Sequence, residues 1–222
     1  MIIMGNGRLI TRNAAEPYYE NGAVVTENEL IKETGTTAEM RLKYPDAEFV
    51  DAKGGVIMPA FINAHTHIYS ALARGLSIAG YNPTNFYEVL DGMWWKIDRS
   101  LTLEDTRRSA YTTIIDCIKT GCTTIFDHHA SFCQIEGSLF AIADAAKALG
   151  IRACLCYEVS ERDGEKKCDE SIEENRSFID YCERERDPML KAMFGGHALF
   201  TISDKTFDRM VEANNGRTGY HI

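Results

Sequence analysis

The first fifty or so positions alternate short apolar runs with turn-forming residues, and no long helical period crosses them. Residues 1–4 are apolar, residues 22–26 (GAVVT) follow a turn-like Glu20-Asn21-Gly22, and residues 29–31 and 49–51 are further short extended candidates. Strands of this length, punctuated by turn residues, predict part of a small β-domain over residues 1–56. The pattern then changes. Residues 56–64 (VIMPAFINA) form an apolar run interrupted by Pro59, which reads as a buried strand with the proline near its start, where a missing N–H is tolerated. Residues 86–98 have helical character. The run 103–119 has more, because Ala110, Ile114, Cys117 and Ile118 recur at helical spacing before Thr120-Gly121 ends it. A strand is predicted at 123–127, a helix at 135–149 closed by Gly150, and a strand at 151–159. Residues 169–185 read as a charged helix with Ile172, Phe178 and Ile179 inward, and 189–194 as a strand leading to Gly195-Gly196-His197. Ser203 is a suitable cap for a helix through Ala213, and residues 218–222 open one more strand.

From residue 57 the order is therefore β-loop-α-β-α-β-α-β-α-β. Such alternation predicts an α/β fold with a parallel sheet and crossover helices. A closed barrel of eight units takes ~250 residues. Residues 57–222 are thus expected to supply the first half of a (β/α)8 TIM-like barrel, stopping within its fifth strand. Residues 1–56 would be part of a small β-sandwich domain.

Composition changes this picture little. Of the 222 residues 45% are hydrophobic and 26% charged, with a net charge of −9. Lys and Arg are scattered, so there is no basic stripe to neutralise a phosphate backbone, and no nucleic-acid partner is expected. The seven cysteines are an odd number with no C-x-x-C pair, which predicts a reducing compartment rather than a disulfide framework. The opening MIIMGNGRLI is too short and too soon interrupted for a signal peptide, and no apolar run approaches ~18 residues. A cytoplasmic location without membrane partners is the expectation.

Chemistry concentrates at Asn63-Ala64-His65-Thr66-His67. Residues i and i+2 of a strand share a face about 6.7 Å apart at the backbone. A tetrahedral zinc with bonds of about 2.0–2.1 Å needs its nitrogens about 3.3 Å apart, a gap that two imidazoles can close by leaning together. The pair would stand at the C-terminal end of a barrel strand, the face where barrel enzymes keep their chemistry. Two histidines near a strand end can equally make ordinary hydrogen bonds.

The run Gly55-Val56-Ile57-Met58-Pro59-Ala60-Phe61-Ile62-Asn63-Ala64-His65-Thr66-His67 resembles the metal-binding signature of the amidohydrolase superfamily. The resemblance continues through Ala73-Arg74-Gly75-Leu76, Gly121–His129 (GCTTIFDHH) and Gly195-Gly196-His197, and covers essentially the whole chain. It is strongest toward the branch of cytosine, guanine and 8-oxoguanine deaminases and triazine chlorohydrolases. Residues 85–131 are most similar to an aminohydrolase subgroup of selenium metabolism. The resemblance implies a metal-dependent hydrolase of non-peptide C–N bonds, with His65 and His67 binding one divalent cation: zinc first, iron or manganese as alternatives. The expected product chemistry is deamination (EC 3.5.4-like) of a purine-, pyrimidine- or triazine-like ring. In the family a further histidine, a glutamate acid/base and an aspartate complete the site. His221 would be the first histidine of the fifth-strand run. The remaining catalytic groups are expected beyond Ile222, and the 222 residues alone are expected to have little or no activity.

The same resemblance makes His197 a substrate contact; no lysine stands at that strand end, since Lys191 lies near the strand's start, which favours one metal over two. His128 and His129 are both candidates for a pocket role after Asp127, although adjacent strand residues point to opposite faces and only one can reach it. Trp95, with Trp94, lies in a segment that could cover a planar heterocycle, against core packing as the other use. Arg74 could bind an anionic or carbonyl group, or form a surface ion pair. Cys154 and Cys156 read as buried thiols, and residues 161–174 as a charged surface. Competing readings are a chlorohydrolase acting on a C–Cl bond and a non-catalytic interaction module that keeps the fold. A homodimer is the expected assembly by analogy with relatives.

Overall fold

Every second residue of β1 (Ile2–Ile10) is buried, with Ile3, Gly5, Gly7 and Leu9 facing inward. That two-residue period is what a strand with one packed face produces. The computed structural model describes residues 1–222 and divides them into two compact units, Met1–Ala60 and Phe61–Ile222. In the first unit β1 pairs antiparallel with β2 (Tyr18–Glu27), which pairs antiparallel with β3 (Leu30–Thr36). On its other side β1 pairs parallel with β4 (Glu48–Asp51) and, further along, with β5 (Val56–Ile57). Ile3, Ala23, Val25 and Met40 form the core of this unit.

Three local expectations change here. Glu20-Asn21-Gly22 is no turn but part of β2, where Gly22 pairs with Gly7 on one side and Thr36 on the other. Pairing on both flanks satisfies the backbone and overrides the local preference. A short helix, α1 (Thr37–Lys43), was not legible as a period because it is seven residues long. It starts on a capping box in which the Thr36 hydroxyl accepts from the Glu39 N–H and the Glu39 carboxylate accepts from the Thr36 N–H. The apolar run 56–64 is two strands, with β5 in the first unit and β6 (Phe61–Thr66) in the second. Pro59 stands between them, lacking the N–H needed to carry one ladder through.

In the second unit β6, β7 (Cys122–His129), β8 (Arg152–Tyr157) and β9 (Leu190–Ala192) run parallel in that order, and β10 (Phe194–Gly195) pairs parallel with β11 (Tyr220–His221). The crossovers carry α4 (Leu103–Lys119), α5 (Ser138–Leu149), α6 (Glu165–Glu185) and α7 (Asp204–Asn214). Helix α4 begins on a Thr102/Asp105 capping box and is followed by Gly121 at φ 83°, a left-handed conformation that favours glycine. Its Ala110, Ile114 and Cys117 pack with Ile125, Leu139, Leu155 and Phe178 in the main core. Before α4, the segment after β6 is helical from α2 (Phe86–Val89) through a π turn (Leu90–Trp94) to α3 (Trp95–Asp98).

The charged helix α6 starts four residues earlier than its pattern suggested, and it carries buried polar work. Asn175 accepts from the backbone N–H of Tyr157 and Gly195 and donates to Tyr157 O, stitching β8 to β10. Glu174 accepts from the N–H groups of Gly137 and Leu139, capping α5 from a distance. The 161–174 stretch is therefore not simply surface. The Arg162 side chain is buried and forks onto Asp98 of α3, at 2.5 Å (Nη2–Oδ2) and 3.3 Å (Nη1–Oδ1). That pair fastens the α2–α3 segment to the loop after β8.

A Cβ at Gly195 would collide with the Tyr157 carbonyl. Gly195→Ala is expected to destabilise the chain by about 1–3 kcal/mol, the scale of forced overpacking. The check is a urea titration, with a lower midpoint and an unchanged slope.

Candidate metal centre

Parallel strands present their C-terminal ends on one side, and histidines come from four of those ends. His65 and His67 come from β6, His128 from β7, His197 follows β10, and His221 lies in β11. His65 Nε2 lies 3.2 Å from His67 Nε2, and His65 Nδ1 lies 2.8 Å from His221 Nε2. The His128 ring centroid is 4.7 Å from that of His221 and 5.7 Å from that of His67. Glu158, immediately after β8, is 3% exposed and faces this group. Its Oε1 is 3.2 Å from His128 Nδ1 and 3.5 Å from His67 Nδ1, and its Oε2 is 3.7 Å from His197 Nε2.

Proton positions follow from the partners. His67 Nδ1 is 2.8 Å from the carbonyl oxygen of His128, which can only accept, so Nδ1 carries the proton and Nε2 keeps its lone pair. The contacts form a relay: His221 Nε2–H to His65 Nδ1, His65 Nε2–H to His67 Nε2. Moving the His65 proton to Nδ1, where His221 accepts it, leaves two Nε2 lone pairs facing each other. Their 3.2 Å spacing matches the edge of about 3.3 Å of a tetrahedral zinc site. The donor set therefore fits a divalent cation. His67, His128 and Glu158 form a second metal-capable group, with donor atoms all within 4.8 Å of one another.

Electrostatics keep most of these imidazoles neutral. Partial burial, then the neighbouring His67 and His128, lower the pKa of His65. Burial and the same cluster bring His221 down to about 4. Burial opposes the charge of Glu158, yet its hydrogen bond to His128 and the nearby His128, His197 and His67 hold it at about 2. For His128, burial acts downward, but Glu158 and Asp127 outweigh it and the net shift is upward. Asp127 is fully buried, is pushed by burial up to about 7, and accepts from the Ile68 N–H at 2.7 Å, tying β7 to the chain just past His67.

The other residues singled out from sequence are placed as follows. His128 turns toward the cluster, and its buried Nε2 has no hydrogen-bond partner. His129 turns the other way into the core, where its Nε2 meets Ser131 Oγ at 3.1 Å and its ring packs edge-on against Tyr69 and Tyr157. His197 is buried, bonded through Nδ1 to Thr201 Oγ1 at 2.9 Å, with its Nε2 toward Glu158. Trp95 is 5% exposed, with its ring 6.0 Å from His197 and 5.4 Å from Tyr87. It walls a cavity of about 540 Å³ also lined by Tyr87, Asp91, Arg162, Phe200 and Thr201. Trp94 packs against Tyr69 instead. Arg74 pairs with Asp116 at 2.5 Å on the surface, apart from the cluster. Sequence reading did not single out Glu158. The only signal was an acid inside an otherwise apolar strand, CLCYEV.

The family model described as the amidohydrolase family matches residues 56–220. This chain belongs to the amidohydrolase family. Within its first unit, residues 22–47 match the bacterial imidazolonepropionase-like composite domain. A 5'-deoxyadenosine deaminase of Methanosarcina barkeri is 30% identical to this amidohydrolase over 222 residues, all of the chain and 48% of that protein. A guanine deaminase of E. coli superposes with a TM-score of 0.78 at 16% identity, over 100% of this chain and 53% of that one. A zinc complex of atrazine chlorohydrolase from Arthrobacter aurescens gives a TM-score of 0.75 at 19% identity, over 98% and 51%. This amidohydrolase thus spans about half the length of the curated relatives it matches. Its mixed α/β fold matches about half of such barrel proteins, together with strands of the composite β-domain. No helix is long and apolar enough to cross a membrane.

Burial holds His129 neutral, with its pKa lowered to about 3. A base whose folded pKa lies below its unfolded value of about 6.5 stabilises fully above that value and loses the contribution as pH falls toward 3. Wild type should lose up to ~1.4 kcal/mol per pH unit from this group between pH 6.5 and 4. His129→Gln should show a correspondingly shallower slope in denaturation midpoints measured across that window.

Proposed function

We propose that this amidohydrolase is a metal-dependent deaminase releasing ammonia from an amino-substituted purine, pyrimidine or triazine-like ring, with His65 and His67 as metal donors. The observation that carries the reading is the facing Nε2 pair at 3.2 Å, with each Nδ1 provided with a partner. A bound divalent metal, zinc ahead of iron or manganese, supplies Lewis acidity and lowers the pKa of water to near neutrality. The protein's own residues position the ring. His128 packs beside the His67 and His221 rings at this face. His197, held by Thr201 and Glu158, and Trp95 wall the site on the side of the cavity. The 5'-deoxyadenosine deaminase relative supports an aminopurine nucleoside as the first substrate class to try.

Narrower forms of the reading remain proposals of the same kind. The selenium-metabolism subgroup rests on residues 85–131, and a chlorohydrolase is supported only by the fold shared with the zinc-bound triazine enzyme. Two protein donors hold a metal weakly and no acid/base is assigned within this chain, so turnover by the 222 residues alone is expected to be low. Binding therefore provides the test. Zinc affinity should fall at least tenfold in His65→Ala and in His67→Ala, measured by competition with a chromophoric chelator. In equilibrium dialysis the zinc-loaded chain should retain an aminopurine nucleoside over its keto counterpart. Preferential retention of a chlorotriazine would favour the chlorohydrolase. Absence of both metal and ring binding would leave the interaction module.

A further inference from the structure

We propose that Glu158 is the outer-sphere carboxylate of this metal site, a positioning residue that holds the imidazoles of His67 and His128 and is not itself a ligand. The inference rests on the reading of His65 and His67 as metal donors. The carboxylate is buried where a charge is costly without partners. Its ion-pair partners are imidazoles alone: His128 at 3.2 Å, His67 at 3.5 Å and His197 at 3.7 Å, from three different strand ends. No lysine or arginine neutralises it. Its placement on those rings is specific. It stands beside Nδ1 of both His67 and His128, whereas the Nε2 of His67 points to His65. A carboxylate next to the Nδ1–H of a metal-binding imidazole fixes the tautomer and makes the far nitrogen a better donor.

Glu158 reaches His67 by two routes. One is direct, past Nδ1. The other runs through His128, whose ring Glu158 holds and whose backbone carbonyl accepts from the His67 Nδ1–H at 2.8 Å. The Glu158 N–H in turn donates to the carbonyl of His129 at 2.8 Å, so the same residue also ties the end of β7 to β8. A first-sphere role would group Glu158 with His67 and His128, whose donor atoms lie within 4.8 Å. If that site used Nδ1 of His67, it would require breaking the bond to the carbonyl and removing its proton. Outer-sphere placement requires neither.

Two measurements test this. Zinc affinity by chelator competition should fall about 10- to 100-fold in Glu158→Gln, the scale of lost outer-sphere support, with Glu158→Asp retaining more than Glu158→Gln. In the wild-type chain loaded with ¹¹³Cd and labelled with ¹⁵N-histidine, cadmium couplings are expected at Nε2 of His65 and His67, with Nδ1 of His67 and of His128 still protonated. That spectrum needs no variant to fold. Glu158→Gln binding zinc within threefold of wild type, or cadmium coupling to Nδ1 of His128, would overturn the inference while leaving the His65–His67 pair intact; coupling to Nδ1 of His67 would overturn the facing Nε2 pair and the inference with it. A wild-type chain that binds neither zinc nor cadmium would overturn the pair itself, and the inference with it.

Discussion

The hydrogen bond from His67 Nδ1 to the carbonyl oxygen of His128 is the constraint around which the site is arranged. A carbonyl cannot donate, so this contact decides which nitrogen of His67 bears the proton and which is free. It also crosses from β6 to β7, so the free lone pair is aimed by the sheet and not by the side chain's own rotamer preference. Asp127, one residue earlier on β7, holds the backbone just beyond His67 through the Ile68 N–H. One imidazole is thus located from both sides by a single neighbouring strand.

Around that bond the sheet collects groups that none of its elements could assemble alone. Parallel strands put His65, His67, His128, Glu158, His197 and His221 at the same end, although up to 156 positions separate them in the chain. The concentration has a cost. Five imidazoles and a carboxylate sit together, so their protonation states are coupled. The arrangement meets that cost by keeping most rings neutral and placing the buried Glu158 carboxylate against the Nδ1 edges of His67 and His128. The Asp98–Arg162 pair adds rigidity from above, fastening the segment that carries Trp95 to the loop following Glu158.

Much of the architecture was legible because its signals are local and repeated. Ala110, Ile114 and Cys117 announce α4 by their spacing, and both helix-ending glycines, Gly121 and Gly150, adopt positive φ. The H-x-H pair was legible because i and i+2 share a strand face. The limits were equally physical. Seven residues of α1 are too few to display a period, and Glu20–Gly22 was pulled into β2 by pairing partners distant in sequence. A charged helix such as α6 gives no sign that Glu174 and Asn175 are the members that turn inward to backbone groups.

By itself the sequence determined the alternation of strands and helices, the family, and the candidate pair His65 and His67, since periodicity and short motifs are properties of adjacent residues. Only the tertiary structure decided that His128 and not His129 turns to the cluster, that Arg74 sits in a surface pair, and that Glu158 stands at the centre of the imidazoles. Those facts depend on strand register and on which ends of the sheet coincide. Contacts between residues brought together from different strands leave no local trace in the chain.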